Sequence, residues 1–221
     1  MPKANRGGRR DAIRFVNRMF LKNSNSGKTS AIDISTIKDK SLYGIENRIR
    51  GLDHEEAFIF DSKDKLLAGA TGEGTSVEIP QRWESIKDGT LTHGHPTHEY
   101  DFGGTFSAAD VELLAGSQLK EVRAVASGQG EFNYIAKRTS AADGNGLLSK
   151  IHADEAKLKQ KMIYHFQNSY QHAKTQGKTV SQALHEAAQK ATGVFDTYWE
   201  QTLPQYGFEY IKMKRGYKYD R

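Results

Sequence analysis

Two histidines separated by one residue and followed by a proline constrain the local structure of this chain more than any other feature. They lie in the run Leu91-Thr-His-Gly-His-Pro96. If residues 91–95 end a strand, His93 and His95 project from one face, because residues i and i+2 of a pleated strand do so. Pro96 lacks the N–H that a strand ladder needs, so the chain must turn there. The run therefore predicts a strand end at which two imidazoles converge.

An acidic residue further along the chain is a candidate third ligand. Asp110 follows Ser107 in a Ser-x-x-Asp pattern. Two imidazoles, one carboxylate and an open fourth position are typical of a catalytic zinc site, whereas structural zinc sites have four protein ligands. The sequence therefore predicts a Zn²⁺ site at His93, His95 and Asp110. The alternative is structural, because Ser-x-x-Asp before an apolar run is also typical of a helix start with Ser107 as N-cap.

Composition limits the class of protein. A chain of 221 residues with 37% hydrophobic content can bury one sizeable core but has no room for a second catalytic domain. It has no cysteine, so disulfides and thiolate zinc sites are excluded and any metal must be held by His, Asp or Glu. No run approaches the roughly 18 apolar residues of a membrane span, and no secretory signal is evident. We therefore expect a soluble protein.

Positive charge is concentrated at the N-terminus. Residues 1–30 carry eight basic residues and one acidic residue, a local balance of +7 in a chain of net charge +5. Ile13, Val16 and Phe20 recur at helical spacing within this segment, which predicts a short amphipathic docking helix. The sequence does not identify the partner of this helix, since nucleic acid, an acidic protein surface and an anionic membrane would all suit it. The composition also permits a transit peptide. The alternative is a solvated, partly mobile arm over residues 1–40 that only aids solubility.

The rest of the chain has alternating helical and strand patterns up to about residue 140, and long helices after it. The apolar spacing predicts a helix at 42–52, strands at 57–61, 66–68, 91–95, 122–125 and 132–136, and short helices at 80–88 and 107–116. Apolar stripes predict two long helices in residues 141–221, the second capped by Thr179 and Gln182, before a final strand at 207–213. The fold class is α/β (α+β), with a mixed sheet.

These motifs together resemble those of the JAMM (JAB/MPN) metalloprotease family. The family pattern is an upstream glutamate, then His-x-His-Pro, then Ser-x-x-Asp. Here the run EEAFIFD at residues 55–61 precedes the histidines, which is nearest to the RadC-like and bacteriophage head-morphogenesis-associated branch. The resemblance covers about residues 41–138. It implies a JAB/MPN-like mixed sheet flanked by helices, to which this chain adds a C-terminal helical hairpin and a basic N-terminal arm.

The resemblance also implies roles for five residues. The equivalents of His93, His95 and Asp110 bind zinc in the family. The equivalent of Ser107 assists oxyanion stabilisation, and that of the upstream glutamate transfers the proton of the catalytic water. Glu55 matches this glutamate best, and Glu56 is the alternative.

One departure from the family pattern lies between the histidines and Ser107. Eleven residues, 96–106, separate His95 from Ser107, where the family has about seven. The extra residues include His98, Glu99 and a Gly103-Gly104 pair. We expect a mobile flap over the metal, or a loop that reshapes or blocks the cleft.

Three functions are compatible with these features. The first is a zinc-dependent metallopeptidase or isopeptidase that acts on a protein substrate, of phage or bacterial origin, in the cytoplasm of a bacterial host or associated with a virion. The second is a phage head-assembly or DNA-associated structural protein that keeps the fold without turnover. The third is a nuclease or toxin module. The sequence gives it little support, because it offers neither paired carboxylates nor a second metal cluster. Basic surface alone implies only nonspecific attraction to phosphate.

Overall fold

The computed structural model describes residues 6–20, 29–72, 77–98, 101–102, 104–126 and 132–214. Its helices are α1 (Arg6–Phe20), α2 (Leu42–Ile49), α3 (Gln81–Glu84), α4 (Ala108–Gly116), α5 (Gly144–Thr175) and α6 (Val180–Thr202). Its strands are β1 (Ser30–Ile32), β2 (Glu56–Phe60), β3 (Leu66–Thr71), β4 (Thr90–His95), β5 (Thr97–His98), β6 (Asp101–Phe102), β7 (Glu121–Ala126), β8 (Phe132–Arg138) and β9 (Phe208–Lys214).

Seven of these strands form one mixed sheet in the order β1-β3-β2-β4-β7-β8-β9. Strand β4 is parallel to β7, and every other neighbouring pair is antiparallel. Helix α4 lies in the crossover between β4 and β7, as a parallel connection requires. The strand that carries both histidines therefore lies in the middle of the sheet, and the helix that carries Asp110 follows it directly.

One face of the sheet packs against most of the helices. Ala57, Leu91 and Ala124 on this face belong to the same buried cluster as apolar residues of α1, α4, α5 and α6. Helix α1 docks through Phe15, whose ring centroid lies 5.4 Å from that of Phe166 on α5. Full burial of such a side chain stabilises the fold by about 1.5–3 kcal/mol. The amphipathic helix predicted at the N-terminus is present and packs in the core through Phe15 and Val16, whereas Ile13 of the predicted apolar face is exposed. The side chain of Phe20 and residues 1–5 and 21–28 lie outside the described residues.

The other face of the sheet is covered by α2. Phe58 and Phe60 pack there with Ile45 and Ile49 of α2. Beside this second apolar cluster is a buried group of charged and polar side chains. Arg123 of β7 forms ion pairs with Glu46 and with Glu121, the latter at 2.7 Å, and Asn133 donates to Glu46 at 2.6 Å. These bonds supply the partners that buried charges need and fix α2 on the sheet.

The C-terminal third forms a helical hairpin and then returns to the sheet. Helices α5 and α6 pack along each other, and Thr179 caps α6 in a capping box with Gln182. The chain reverses at Gly207, whose φ of +75° favours glycine and where a Cβ would lie 2.4 Å from the Ala141 carbonyl oxygen. The final strand, β9, then pairs with β8.

The predicted α/β class with a mixed sheet is confirmed, as are its main helices and strands. One buried cluster includes residues from Ala12 to Phe208, so it contains side chains from all three of the segments predicted to divide at residues 40 and 140. Within the described residues, no helix combines the length and the apolar character needed to cross a bilayer.

Candidate metal centre

The two histidines project from the same face of β4 into the space below α4. His93 is buried, with 4% of its surface exposed, and His95 is partly buried. Strand β4 ends at His95, and Pro96 follows it, as the sequence predicted. The Nε2 atoms of the two rings lie 2.9 Å apart. The strand thus brings two nitrogens that could bind a metal to one point.

Asp110 reaches this point from the first turn of α4. Its Oδ1 atom lies 3.1 Å from Nε2 of His93, and its Oδ2 atom lies 3.5 Å from Nε2 of His95. Among the described residues, these three form the one group of histidine and acidic side chains with ligand atoms close enough to share a metal ion. The two features predicted from the sequence therefore act together. The strand end positions the two histidines, and the helix start positions the carboxylate beside them.

The separations are of the size that a shared zinc ion needs. Bonds of about 2.0–2.1 Å to zinc place tetrahedral ligand atoms about 3.3 Å apart. The two Nε2 atoms are 2.9 Å apart, and each lies near a different oxygen of Asp110, at 3.1 Å for His93 and 3.5 Å for His95. Nδ1 of His95 lies 2.9 Å from the Gly104 carbonyl oxygen, which can only accept, so Nδ1 donates. This bond directs the Nε2 lone pair of His95 toward the shared point, as is typical of metal-binding histidines.

Without a metal, the centre contains an ion pair. Burial alone would lower the pKa of His95, but the hydrogen bond and charge of Asp110, the charge of Glu55 and the Gly104 carbonyl raise that pKa to about 9. Burial would raise the pKa of Asp110, yet His93 and His95 hold it well below its usual range. The imidazolium is therefore present at neutral pH, so binding of a metal there must displace a proton from His95.

This ion pair predicts how the stability of the metal-free protein varies with pH. An unfolded histidine loses its proton near pH 6.5, whereas folded His95 keeps it to about pH 9. The ion pair's contribution to the free energy of unfolding is thus fully present below pH 6.5 and is lost as the pH rises through 9. The loss is on the order of 3 kcal/mol. Urea unfolding in a chelator at pH 6.5 and 9 measures this loss. The variant His95→Gln should lack most of it, and an equal loss in both proteins would contradict the assignment.

The environments of Glu55 and Glu56 differ. Ala57 pairs with His93 across β2 and β4. Glu55 directly precedes β2, so alternation continued by one residue beyond the strand places it on the histidine face. Its charge acts on His95. Glu56 is buried on the other face, where Arg48 of α2 donates to both of its carboxylate oxygens at 3.0 Å. Of the two candidates for proton transfer, Glu55 is the one that lies on the face of the metal centre.

Ser107 performs the helix-capping role that the sequence offered as an alternative. Its Oγ accepts from the Asp110 N–H at 3.3 Å and donates to Asp110 Oδ2 at 2.8 Å, and its own N–H donates to the same oxygen at 2.7 Å. The capping box therefore orients the third ligand. The oxyanion role of Ser107 stays a prediction, and it would require this hydroxyl to exchange one of its partners.

The long loop between His95 and Ser107 contains a short hairpin. Strands β5 and β6 pair antiparallel, and β6 lies against α6. Residues 99, 100 and 103 lie outside the described residues, and with them Glu99 and Gly103 of the predicted flap. The role of Gly104 could not be predicted from the sequence, because a backbone carbonyl that orients a histidine does not depend on the residue type.

The three side chains converge as the motif predicts, and their donor set of two imidazoles and one carboxylate could hold a metal ion. Glu55 and Ser107 adjoin them on the same side of the sheet. No protein-family model, curated protein or solved structure matches this chain, so the resemblance to the JAMM family depends on these motif residues and their arrangement.

Proposed function

We propose that this protein is a zinc-dependent metallopeptidase or isopeptidase of the JAMM (JAB/MPN) type, which hydrolyses a peptide or isopeptide bond in a protein substrate. The observation that supports it is the convergence of His93, His95 and Asp110 at one point, with Glu55 on the same face of the sheet. A bacterial or phage origin, and a location in the host cytoplasm or the virion, belong to the same proposal.

The choice of zinc follows from the ligands. Imidazole nitrogen suits zinc well, and three protein ligands leave a fourth position for water or substrate, as in catalytic zinc sites. A zinc ion held there would act as a Lewis acid and lower the pKa of bound water toward about 7.

The remaining chemistry belongs to the side chains of this chain. The Glu55 carboxylate takes a proton from the attacking water and delivers it to the leaving amine, a role worth about 10²–10⁴-fold in rate. The Ser107 hydroxyl donates to the oxygen that becomes negative in the transition state, and loss of such a donor lowers the rate by about 10²–10³-fold in other hydrolases. His95 keeps its orientation through Gly104 while the reaction proceeds.

Metal removal tests the proposal. After chelation and removal of the chelator, cleavage of a panel of peptides and isopeptide-linked protein dimers should be abolished, and one equivalent of Zn²⁺ should restore it. Mass spectrometry of the products measures the cleavage and identifies the bond. Cleavage that continues at the original rate in protein shown to contain no metal would contradict the proposal.

A second candidate is a phage head-assembly or DNA-associated structural protein that keeps the fold without turnover. The observation in its favour is the outward face of α1, where Arg9, Arg10 and Arg14 are exposed while Phe15 and Val16 are buried. Such a face attracts phosphate, with an affinity that falls steeply with salt. Salt-sensitive DNA binding in a protein that cleaves nothing in the same panel, with and without zinc, would favour this candidate.

A further inference from the structure

A four-residue segment connects the two parts of the metal centre. At one end, the Gly104 carbonyl accepts the hydrogen bond from His95. At the other end, Ser107 bonds to the Asp110 carboxylate through both its N–H and its hydroxyl. Two of the three proposed ligands are therefore oriented by the backbone of residues 104–107. Elements that fix the position of this segment therefore also fix the orientation of these two proposed ligands.

Residues from α6 and β9 hold three consecutive positions of the segment. Gly104 lies so close to Thr192 that a Cβ there would be 2.2 Å from the Thr192 methyl carbon. The next residue, Thr105, hydrogen-bonds Tyr210 through hydroxyl oxygens 2.5 Å apart. The third, Phe106, accepts the indole N–H of Trp199 at 2.9 Å. The contacts all come from the C-terminal elements, which lie outside the stretch that carries the motif.

The Tyr210 hydroxyl donates one hydrogen bond, to Asp196, and accepts another, from Thr105. Its hydroxyl has one proton and donates it to Asp196 Oδ1 at 2.5 Å, while Lys212 donates to the other oxygen of that carboxylate at 2.7 Å. Burial, followed by the hydrogen bond and charge of Asp196, raises the pKa of Tyr210, so the hydroxyl stays protonated. Thr105 must therefore donate to Tyr210. Thr105 is only 1% exposed, so water cannot easily replace this partner.

We propose that Tyr210 is a positioning residue for the metal centre. Held by Asp196, its hydroxyl fixes the backbone at residues 104–105, and that backbone supplies the carbonyl that orients His95. The inference rests on the proposed metal site and goes beyond it, because it gives the C-terminal helical hairpin and β9 a role in metal affinity.

The variant Tyr210→Phe separates this role from packing. It removes only the hydroxyl, since the ring can keep its contacts with Phe106 and Tyr134, whose centroids lie 6.3 and 6.4 Å away. The matched control is Tyr170→Phe, the same change at a buried tyrosine of α5. Zinc affinity is measured by competition with a chelating dye. Tyr210→Phe should bind zinc measurably more weakly than wild type, with the about 10–100-fold effect of losing a direct outer partner of a metal ligand as the upper limit. Tyr170→Phe should bind it as wild type does.

A double-mutant cycle tests whether the hydroxyl acts through Thr105. Thr105→Val removes the other half of the same hydrogen bond with little change in shape. If both residues act through this bond, the double variant should bind zinc no more weakly than the weaker single variant. Losses that multiply in the double variant would overturn the inference, as would wild-type affinity in both single variants.

Amide hydrogen exchange in metal-free protein tests the positioning role of Tyr210 separately from the proposed function. In chelated protein, amide hydrogen exchange of residues 104–110 should be faster in Tyr210→Phe than in wild type and Tyr170→Phe, by more than any change in global stability explains. If wild type binds no zinc, the proposed function fails, and equal exchange rates would overturn the positioning role as well. If wild type binds zinc and Tyr210→Phe binds it equally tightly, only the positioning role fails.

Discussion

Replacing Glu55 with glutamine is expected to lower peptide or isopeptide cleavage by about 10²–10⁴-fold while one zinc ion per chain stays bound. Glutamine keeps the size of the side chain but cannot take a proton from water at neutral pH. Zinc should remain because the ligand atoms belong to His93, His95 and Asp110. The rate is measured at saturating substrate, and zinc is measured in the same preparation.

The neighbouring residue provides a matched control. Glu56→Gln makes the same chemical change one position away, on the face of the sheet where Arg48 binds the carboxylate. This variant should lose some stability, because Arg48 loses a charged partner, but it should keep its turnover. Full activity in Glu55→Gln together with loss of activity in Glu56→Gln would contradict the assignment of Glu55.

Replacement of a proposed metal ligand should have an equally large effect on metal binding. Asp110→Asn is expected to weaken zinc binding by more than about 100-fold, the upper end of the effect of losing an outer partner, because here a ligand itself is lost. Asparagine can still accept from the Ser107 N–H, so α4 should keep its cap. His93→Ala should lose zinc to a similar degree, with an additional loss of stability from the buried space it leaves.

Glu112→Gln is the control for the change of charge on the same helix. The Glu112 carboxylate lies 3.3 Å from a nitrogen of His152 and does not belong to the metal cluster. This variant should bind zinc as tightly as wild type. Equal loss of zinc in Glu112→Gln and Asp110→Asn would indicate a general effect of charge and would contradict the role of Asp110 as a ligand.

The convergence of the proposed ligands could be predicted because it depends on local rules. Alternation along a strand places His93 and His95 on one face, and Pro96 ends the strand whatever the rest of the chain does. The capping box fixes the position of Asp110 relative to Ser107 within one turn of helix. Each rule spans only a few residues, so each can be applied without knowledge of the fold.

The choice between Glu55 and Glu56 could not be made from the sequence. It depends on the register of β2 against β4, in which Ala57 pairs with His93. A shift of one residue would exchange the faces of the two glutamates, and nothing local specifies that pairing. The buried ion pair of Glu46 with Arg123 is unpredictable for the same reason, since its partners are 77 residues apart.

The contacts between the C-terminal elements and residues 104–106 could not be predicted from the sequence either. An apolar stripe predicted core packing for α6, but Trp199, which is fully buried, was not among the residues of that stripe. Its indole N–H also holds the Phe106 carbonyl, 93 residues away, and Tyr210 lies 105 residues from Thr105. Periodicity identifies which residues are buried but does not identify their polar partners.

Metal analysis of wild-type protein purified without a chelator tests the proposed metal centre most directly. We expect one zinc ion per chain, bound at neutral pH with release of a proton from His95. Wild-type protein that contains no zinc and takes up none when Zn²⁺ is supplied would contradict this expectation.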